Sequence, residues 1–432
     1  MDSAISSDSQ LSQLSQLEAQ LIEECKTSKA AARQLISKTP EEKNQVLIKM
    51  AGILVANQKQ IMQANQLDCQ RAKEAGLSEA MIDRLTITSE VIQQMQSALK
   101  FVAELDDPLN QKIIHRTQPS GIKVAKKRIP IGVILMIYES RPNVTVEAAA
   151  LALKSGNQII LRGGKEAFHS NQAIAMCWRQ ALADCGFNQD SVKVLQTTER
   201  KALDILLKLD DYIDLVIPRG GEGLIRHVVK HSYIPVIKHY KGVCHLYVDE
   251  SADQDKAIAL IINGKTQRPG VCNALEGLVI HKGIAAQFLP KLYSKLTEKG
   301  VTIYGCDLSQ SILPQIAQAT EDEFLTEFLD LKVSMKIVEG IDDAIRFIDT
   351  YGSNHTEVIV TQDKNNADEF VNRVDASVVM VNASSRFSDG GQLGLGAEIG
   401  ISTSKLHAYG PMGLESLTSE KFVVFGDGQI RE

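Results

Sequence analysis

The sequence predicts an α/β protein with two parallel-sheet units, a helical leading segment and a charged hairpin. Three observations carry that expectation. From residue 131 onward, continuous apolar runs alternate with helical stretches, which is the pattern of βαβ units. The pattern breaks and restarts near residue 250, so a second α/β unit follows the first. Between the helical first hundred residues and the first apolar run lies KIIHRTQPSGIKVAKKRIP, which reads as two strands around a Pro-Ser-Gly turn. A chain of 432 residues has room for two or three domains.

Each element has its own warrant. The polar, Ser- and Gln-rich start, residues 1–14, is expected to be a tail. Thr39-Pro40-Glu41-Glu42 is a helix start, with Thr39 as cap, Pro40 at the first helical position and Glu42 closing a capping box. A second helix is expected over Ser89–Leu105. The hairpin of 110–130 carries too much charge to bury both faces alone, and such an arm often pairs with another subunit. IGVILMIY is apolar throughout, as a strand buried on both faces should be. VEAAALALKSG is a helix closed by Gly156. QIILRGG, SVKVLQ and YIDLVIP are strands, with SNQAIAMCWRQALADCG among the helices between them. The Gly-rich RGGEG then leads into the helix GLIRHVVKH. Gly220 and Gly221 there either offer backbone N–H groups and a positive dipole end to an anion, or make a tight corner only. No GxGxxG is present. In the second unit ADQDKAIALIINGK is a helix, and GLVIH, KVSMKIVEG, TEVIVTQ and ASVVMVN are strands. The tail beyond about 400 is mixed and ends in the short strand FVVF.

Composition excludes several function classes. Hydrophobic residues are 44% and charged residues 23%, ordinary values for a soluble globular chain. A net charge of -6 with no basic stripe argues against nucleic acid as a partner. The seven cysteines are scattered without a CxxC, so neither a disulfide framework nor a zinc site is expected, and a reducing compartment fits best. GVILMIY is too short to span a bilayer, and the start has no basic segment followed by an apolar core. A cytoplasmic location is expected.

TQRPGVCNALEGLVIH sets one cysteine, Cys272, after a Pro-Gly turn and before a strand. Free cysteines are mostly small buried hydrophobes. Loops at the strand ends of open α/β sheets, however, are where ligands bind.

Several longer stretches move the balance: PIGVILMIYESRPNVTVEAAALALKSGNQIILRGGKE, YIDLVIPRGGEGLI, KGVCHLYVD, RPGVCNALE, GSNHTEVI and GLGAEIGISTSKLHAYGPMGLE. On these the chain resembles the aldehyde dehydrogenase superfamily from about residue 15, and within it the branch that reduces γ-glutamyl phosphate. Two positions depart from the pattern: Tyr409 stands where arginine is expected, and Asn354 where glycine is usual.

The resemblance implies an aldehyde-dehydrogenase-like fold: a Rossmann-type nucleotide-binding domain over 15–109 and 131–244, an α/β catalytic domain over 245–400, and an oligomerisation arm made of 110–130 and 401–432. It implies NADPH-dependent reduction of L-glutamyl 5-phosphate to L-glutamate 5-semialdehyde in proline biosynthesis. The partners implied are the small-molecule substrate, a second copy of the chain and, in transient contact, a glutamate 5-kinase. No metal is implied.

Residue by residue, Cys272 matches the family's nucleophile, which would form a thioester. Arg268 would lower the thiol's pKa, hold the substrate's phosphate or carboxylate, or lie on the surface as an ordinary arginine. The oxyanion donors would be the Cys272 backbone N–H and Asn143. His355 and Glu357 would contact substrate or a subunit, or merely cap a strand. Glu327 would hold the nicotinamide ribose, or be an ordinary solvated helix glutamate. Arg162 and Lys165 would attract a 2′-phosphate and so favour NADPH over NADH, or be two solvated strand-end cations. HYKGVCHLYVD, residues 239–249, lacks the glutamate with which hydrolytic relatives activate water, and its first acidic residue is Asp249. Phosphate rather than water should therefore accept the acyl group in reverse. Glu276, four residues after Cys272, is the carboxylate that could spoil that argument.

Overall fold

Thr39 caps its helix as the sequence requires: its hydroxyl accepts the Glu42 N–H at 3.2 Å and its own N–H donates to the Glu42 carboxylate at 2.8 Å. The structure, a computed structural model, describes residues 2–111 and 113–431, with the side chains of residues 14–79, 81–111 and 113–431. Five helices come first: α1 (Asp2–Leu35), α2 (Pro40–Ala56), α3 (Gln58–Glu74), α4 (Glu79–Leu85) and α5 (Ser89–Glu104). The expected tail is therefore the leading end of α1, because nothing in residues 2–14 breaks a helix.

The described chain divides into two units. The first holds Met1–Lys238, Leu395–Gly400 and Met412–Glu432, and the second His239–Gly394 and Ile401–Pro411. The changeover falls six residues ahead of the expected 244/245. The cause is local: Gly242 and Val243 are already bonded to second-unit residues Glu327 and Ser353. Residues 401–411 likewise go with the second unit rather than with 412–432.

In the first unit the hairpin is β1 (Arg116–Thr117) and β2 (Lys123–Pro130), turned at Gly121, whose φ is +86°. Then β3 (Val133–Tyr138), α6 (Val144–Lys154), β4 (Gln158–Gly163), α7 (Phe168–Asp184), β5 (Val192–Val194), α8 (Arg200–Leu206), β6 (Leu215–Arg219) and α9 (Glu222–His231) wind a parallel sheet of order β5-β4-β3-β6. Val133, Leu135 and Ile137 of β3 pack with Leu21 of α1 and Leu206 of α8 in its core. Each such fully buried side chain contributes roughly 1.5–3 kcal/mol.

The second unit winds β7 (Cys244–Val248), α10 (Gln254–Thr266), β8 (Leu275–His281), α11 (Lys282–Glu298), β9 (Thr302–Gly305), β10 (Ala317–Gln318), β11 (Lys332–Val338), β12 (Thr356–Val360) and β13 (Val378–Val381) into a seven-stranded sheet. Its order is β10-β9-β11-β8-β7-β12-β13, and every pairing is parallel. Strands β9 and β10 were not among those the sequence announced. The chain then forms a two-stranded ribbon, β14 (Gly400–Ser402) with β15 (Gly410–Met412). It ends in β16 (Thr418–Phe425), which pairs antiparallel along the whole of β2. Among the described residues no helix is long and apolar enough to cross a membrane.

Candidate active site

The loop from Gln267 to Ala274 joins α10 to β8 and carries Cys272, which is partly exposed. Its backbone is held from several sides. The Cys244 thiol donates to the Cys272 carbonyl at 3.2 Å. Gly242 lies so close to that carbonyl that a Cβ there would stand 2.1 Å from its oxygen. The Gly242 N–H donates to Glu327 Oε1 at 2.9 Å. On the other side, Ser385 donates to the Asn273 carbonyl at 2.8 Å, and the Asn273 amide donates to the Ser388 carbonyl at 2.7 Å. These bonds fix the peptide on both sides of the sulfur.

Of the other thiols, burial pushes Cys25 up to about 12 and Cys177 to about 11, and raises Cys244 well above its ordinary value. Those three stay protonated and unreactive at neutral pH.

The Cys272 loop was read as lying between a helix and a strand, and the structure agrees. The loop leads into β8, and Cys244, which begins β7, pairs with Leu275. Cys272, Cys244 and His355 thus gather at the amino ends of β7, β8 and β12. At the carboxyl end of β7, Asp249 accepts hydrogen bonds from Ser251, Thr361 and Asn366, which hold its carboxyl below the usual range despite burial.

Behind the loop, His355 is fully buried rather than facing outward as a substrate contact would. Its Nδ1 sits 2.8 Å from the Thr356 hydroxyl, which itself donates to Ser388, and 3.6 Å from the Cys244 sulfur. Burial, with help from His239, pushes it down to about 3, so it is neutral. Its Nε2 is buried without a partner. Glu357 is also interior: it accepts the His245 N–H at 3.1 Å and meets the His245 ring at 3.2 Å.

Glu276 starts β8 beside Leu275 and its side chain is wholly buried, as is that of Lys265. The two pair at 2.7 Å, and the second carboxylate oxygen takes the Leu329 N–H at 3.2 Å. Burial lifts Glu276 to about 7, against the pull of Lys265. Both its oxygens are committed.

Arg268 is exposed on the Gln267–Ala274 loop. A second arginine, which the sequence reading missed, joins it. Arg386, in the turn Ser385–Phe387, donates from Nε to Gln267 Oε1 at 2.7 Å. Burial and Arg268 both lower its pKa, and Cys272 acts on it as well. The sequence signal was only SSRFSDG, which has no motif of its own.

The remaining candidates belong to the first unit. Asn143 precedes α6 and donates to Glu147 Oε1 at 3.1 Å. Arg162 on β4 is nearly buried, with Nη2 donating to the Thr198 carbonyl at 2.9 Å and Nε left without a partner. Lys165, just beyond β4, is exposed. Gly220 and Gly221 precede α9, but the Gly221 N–H already donates to Glu139 at 3.0 Å, so a carboxylate of the protein occupies the turn.

Residues 6–326 match the model of the aldehyde dehydrogenase family. The gamma-glutamyl phosphate reductase of Desulfotalea psychrophila is 53% identical over 415 residues, covering 96% of this chain and 99% of that protein. That of Salinibacter ruber is 54% identical, covering 93% and 92%. The crystal structure of gamma-glutamyl phosphate reductase from Thermotoga maritima superposes with a TM-score of 0.94 at 46% identity, covering 95% of this chain and all of that one. With the clamped loop, the expected α/β architecture and these likenesses in agreement, the chain belongs to the aldehyde dehydrogenase family and, within it, to the gamma-glutamyl phosphate reductases.

Proposed function

We propose that the protein reduces L-glutamyl 5-phosphate to L-glutamate 5-semialdehyde with NADPH, releasing phosphate, in proline biosynthesis. The mounting of Cys272 carries this reading: a partly exposed thiol on a loop whose backbone is bonded at both flanks. A nucleophile so held loses little freedom on the way to attack. Its sulfur bonds to the C5 carbonyl carbon, the bond from that carbon to the phosphate oxygen breaks, and phosphate leaves with the electron pair. The product is a thioester on Cys272. The Cys272 backbone N–H is the donor proposed for the oxyanion. NADPH, when bound, supplies the hydride. Cys272 then leaves the reduced carbon as thiolate, and the aldehyde forms.

The residues proposed to hold the cofactor are Lys165 for the 2′-phosphate and Glu327 for the nicotinamide ribose. An exposed cation at the end of β4 fits a 2′-phosphate. The orphaned, buried Nε of Arg162 fits a nearby polar ligand, although its Nη2 is spent on shaping the loop at Thr198. Gly220 and Gly221 fit a phosphate less well, because Glu139 holds their turn. A homo-oligomer is proposed on β16, an edge strand bearing the exposed Phe422 and Val424. Direct transfer from a glutamate 5-kinase is proposed from the lability of an acyl phosphate alone.

Neither Glu276 nor Asp249 is placed to activate water. Glu276 is locked in its ion pair, and Asp249 lies five strand residues from Cys244, about 16 Å along β7. The test is the reverse reaction with semialdehyde and NADP. Turnover is expected with phosphate or arsenate, near zero without, slower with NAD, and absent in Cys272→Ala. Steady accumulation of free glutamate in phosphate-free buffer would reject the reading and would point to Glu327 as a water-activating base.

A further inference from the structure

The proposed substrate carries two anionic groups, a phosphate at one end and an α-carboxylate at the other. Arg268 alone cannot meet both. Phosphate departs from the carbon that Cys272 attacks, so the cation on the nucleophile loop itself suits the phosphate. The carboxylate sits beyond three intervening carbons and needs a second cation, on a different segment but fixed relative to the thiol.

Arg386 meets that description. Its turn is bolted to both ends of the nucleophile loop. At one end its Nε holds Gln267, the residue before Arg268. At the other, Ser385 and Ser388 grip Asn273, the residue after Cys272. Ser384 ties the same turn to Asn263 of α10 at 2.6 Å. An arginine on such a mount cannot drift relative to the sulfur.

Its charge environment suits an anion. Arg386 is part-buried beside a second guanidinium, an arrangement that costs repulsion and desolvation unless an anion enters between or beside them. The nearby Asp389 offers partial relief only, since its Oδ1 is spent on the Gly391 and Gln392 N–H groups. The Asn273 side-chain oxygen, almost fully buried next to Cys272, also lacks a partner, so the wall between the two segments is not self-satisfied.

We propose that Arg386 recognises the α-carboxylate of the substrate and so selects amino-acid semialdehydes over plain aldehydes. The inference rests on the function proposed above and adds a specificity determinant to it. Loss of one charge-assisted contact is worth about 10- to 100-fold in binding.

The experiment compares kcat/KM for two aldehydes in the phosphate-dependent reverse reaction: glutamate 5-semialdehyde and 4-aminobutanal, its counterpart without the carboxylate. The wild-type enzyme should favour the semialdehyde. In Arg386→Gln the ratio between the two should fall about 10- to 100-fold, chiefly through KM. Arg386→Lys should recover part of it, and the KM for phosphate should stay within about two-fold. An unchanged ratio in a folded, active Arg386→Gln enzyme overturns the inference and leaves the function standing. So does a raised phosphate KM at unchanged aldehyde selectivity, which would assign Arg386 to the phosphate. A wild-type enzyme inactive on the semialdehyde overturns the function and this inference with it.

Discussion

His355 is held neutral in a protein that never exposes it, and that has a thermodynamic consequence. Its folded value is about 3 against an ordinary 6.5, lowered by burial and by His239. The unfolded chain therefore binds a proton below pH 6.5 that the folded chain refuses. Stability from this residue is full above pH 6.5 and declines as pH falls toward 3, by about 2 kcal/mol at pH 5. Glu276, raised to about 7, works in the opposite direction between pH 7 and 4.5, so the readout is a difference. The stability gap between wild type and His355→Asn in urea titrations should narrow by about 2 kcal/mol from pH 7 to pH 5. A constant gap would mean that the ring is protonated in place. At this scale legibility was uneven. Cys272 stood out through the stretch RPGVCNALE, which carries the resemblance to the aldehyde dehydrogenase family. His355 was legible as a motif member but not as an interior group, since burial is decided by partners more than a hundred residues away. Arg386 was illegible for the same reason: its meaning comes from Gln267, 119 residues earlier.

Strands β7 and β8 carry the site at their entrances, and the approach between them is set by Gly242. A methyl group there would stand 2.1 Å from a backbone oxygen, which cannot swing away as a side chain could. Gly242→Ala must therefore push the Cys272 peptide aside. The expected result is a fall in kcat of about 100-fold, the scale associated with a 1 Å misplacement of a reacting group, while circular dichroism stays native. Activity within three-fold of wild type would show that the loop tolerates the shift. The elements themselves were readable, because buried parallel strands write themselves as unbroken apolar runs, as VILMIY and GLVIH do. Short strands such as β9 were not, since four residues with alternating exposure carry no such run. The place of the Cys272 loop, between a helix and the strand GLVIH, was readable too.

Taken as a molecule, the protein is two α/β units and a three-stranded antiparallel sheet within the first of them, of order β1-β2-β16. That sheet leaves Phe422 71% and Val424 55% exposed on an edge strand. Isolated, such an edge invites pairing. Phe422→Glu with Val424→Glu should reduce the mass measured by light scattering at fixed concentration, with thermal unfolding of the remaining species little changed. An unaltered mass would place the subunit contact elsewhere. The two-unit plan was legible from the restart of the strand–helix alternation. The split of the C-terminal segment, with 401–411 in one unit and 412–432 in the other, was not, because it depends on which sheet each piece joins.

The grip on Asn273 has a consequence in time. Ser385 and Ser388 lie 112 and 115 residues beyond it. At ribosomal speeds of roughly 5–20 residues per second, the reactive thiol leaves the ribosome on the order of ten seconds before its restraints are made. Each new molecule thus passes through an interval with a loose, ungoverned sulfur. In that interval Cys272 is an ordinary thiol with a pKa of about 8.5, and it gains its fixed position only when residues 385–388 have been made.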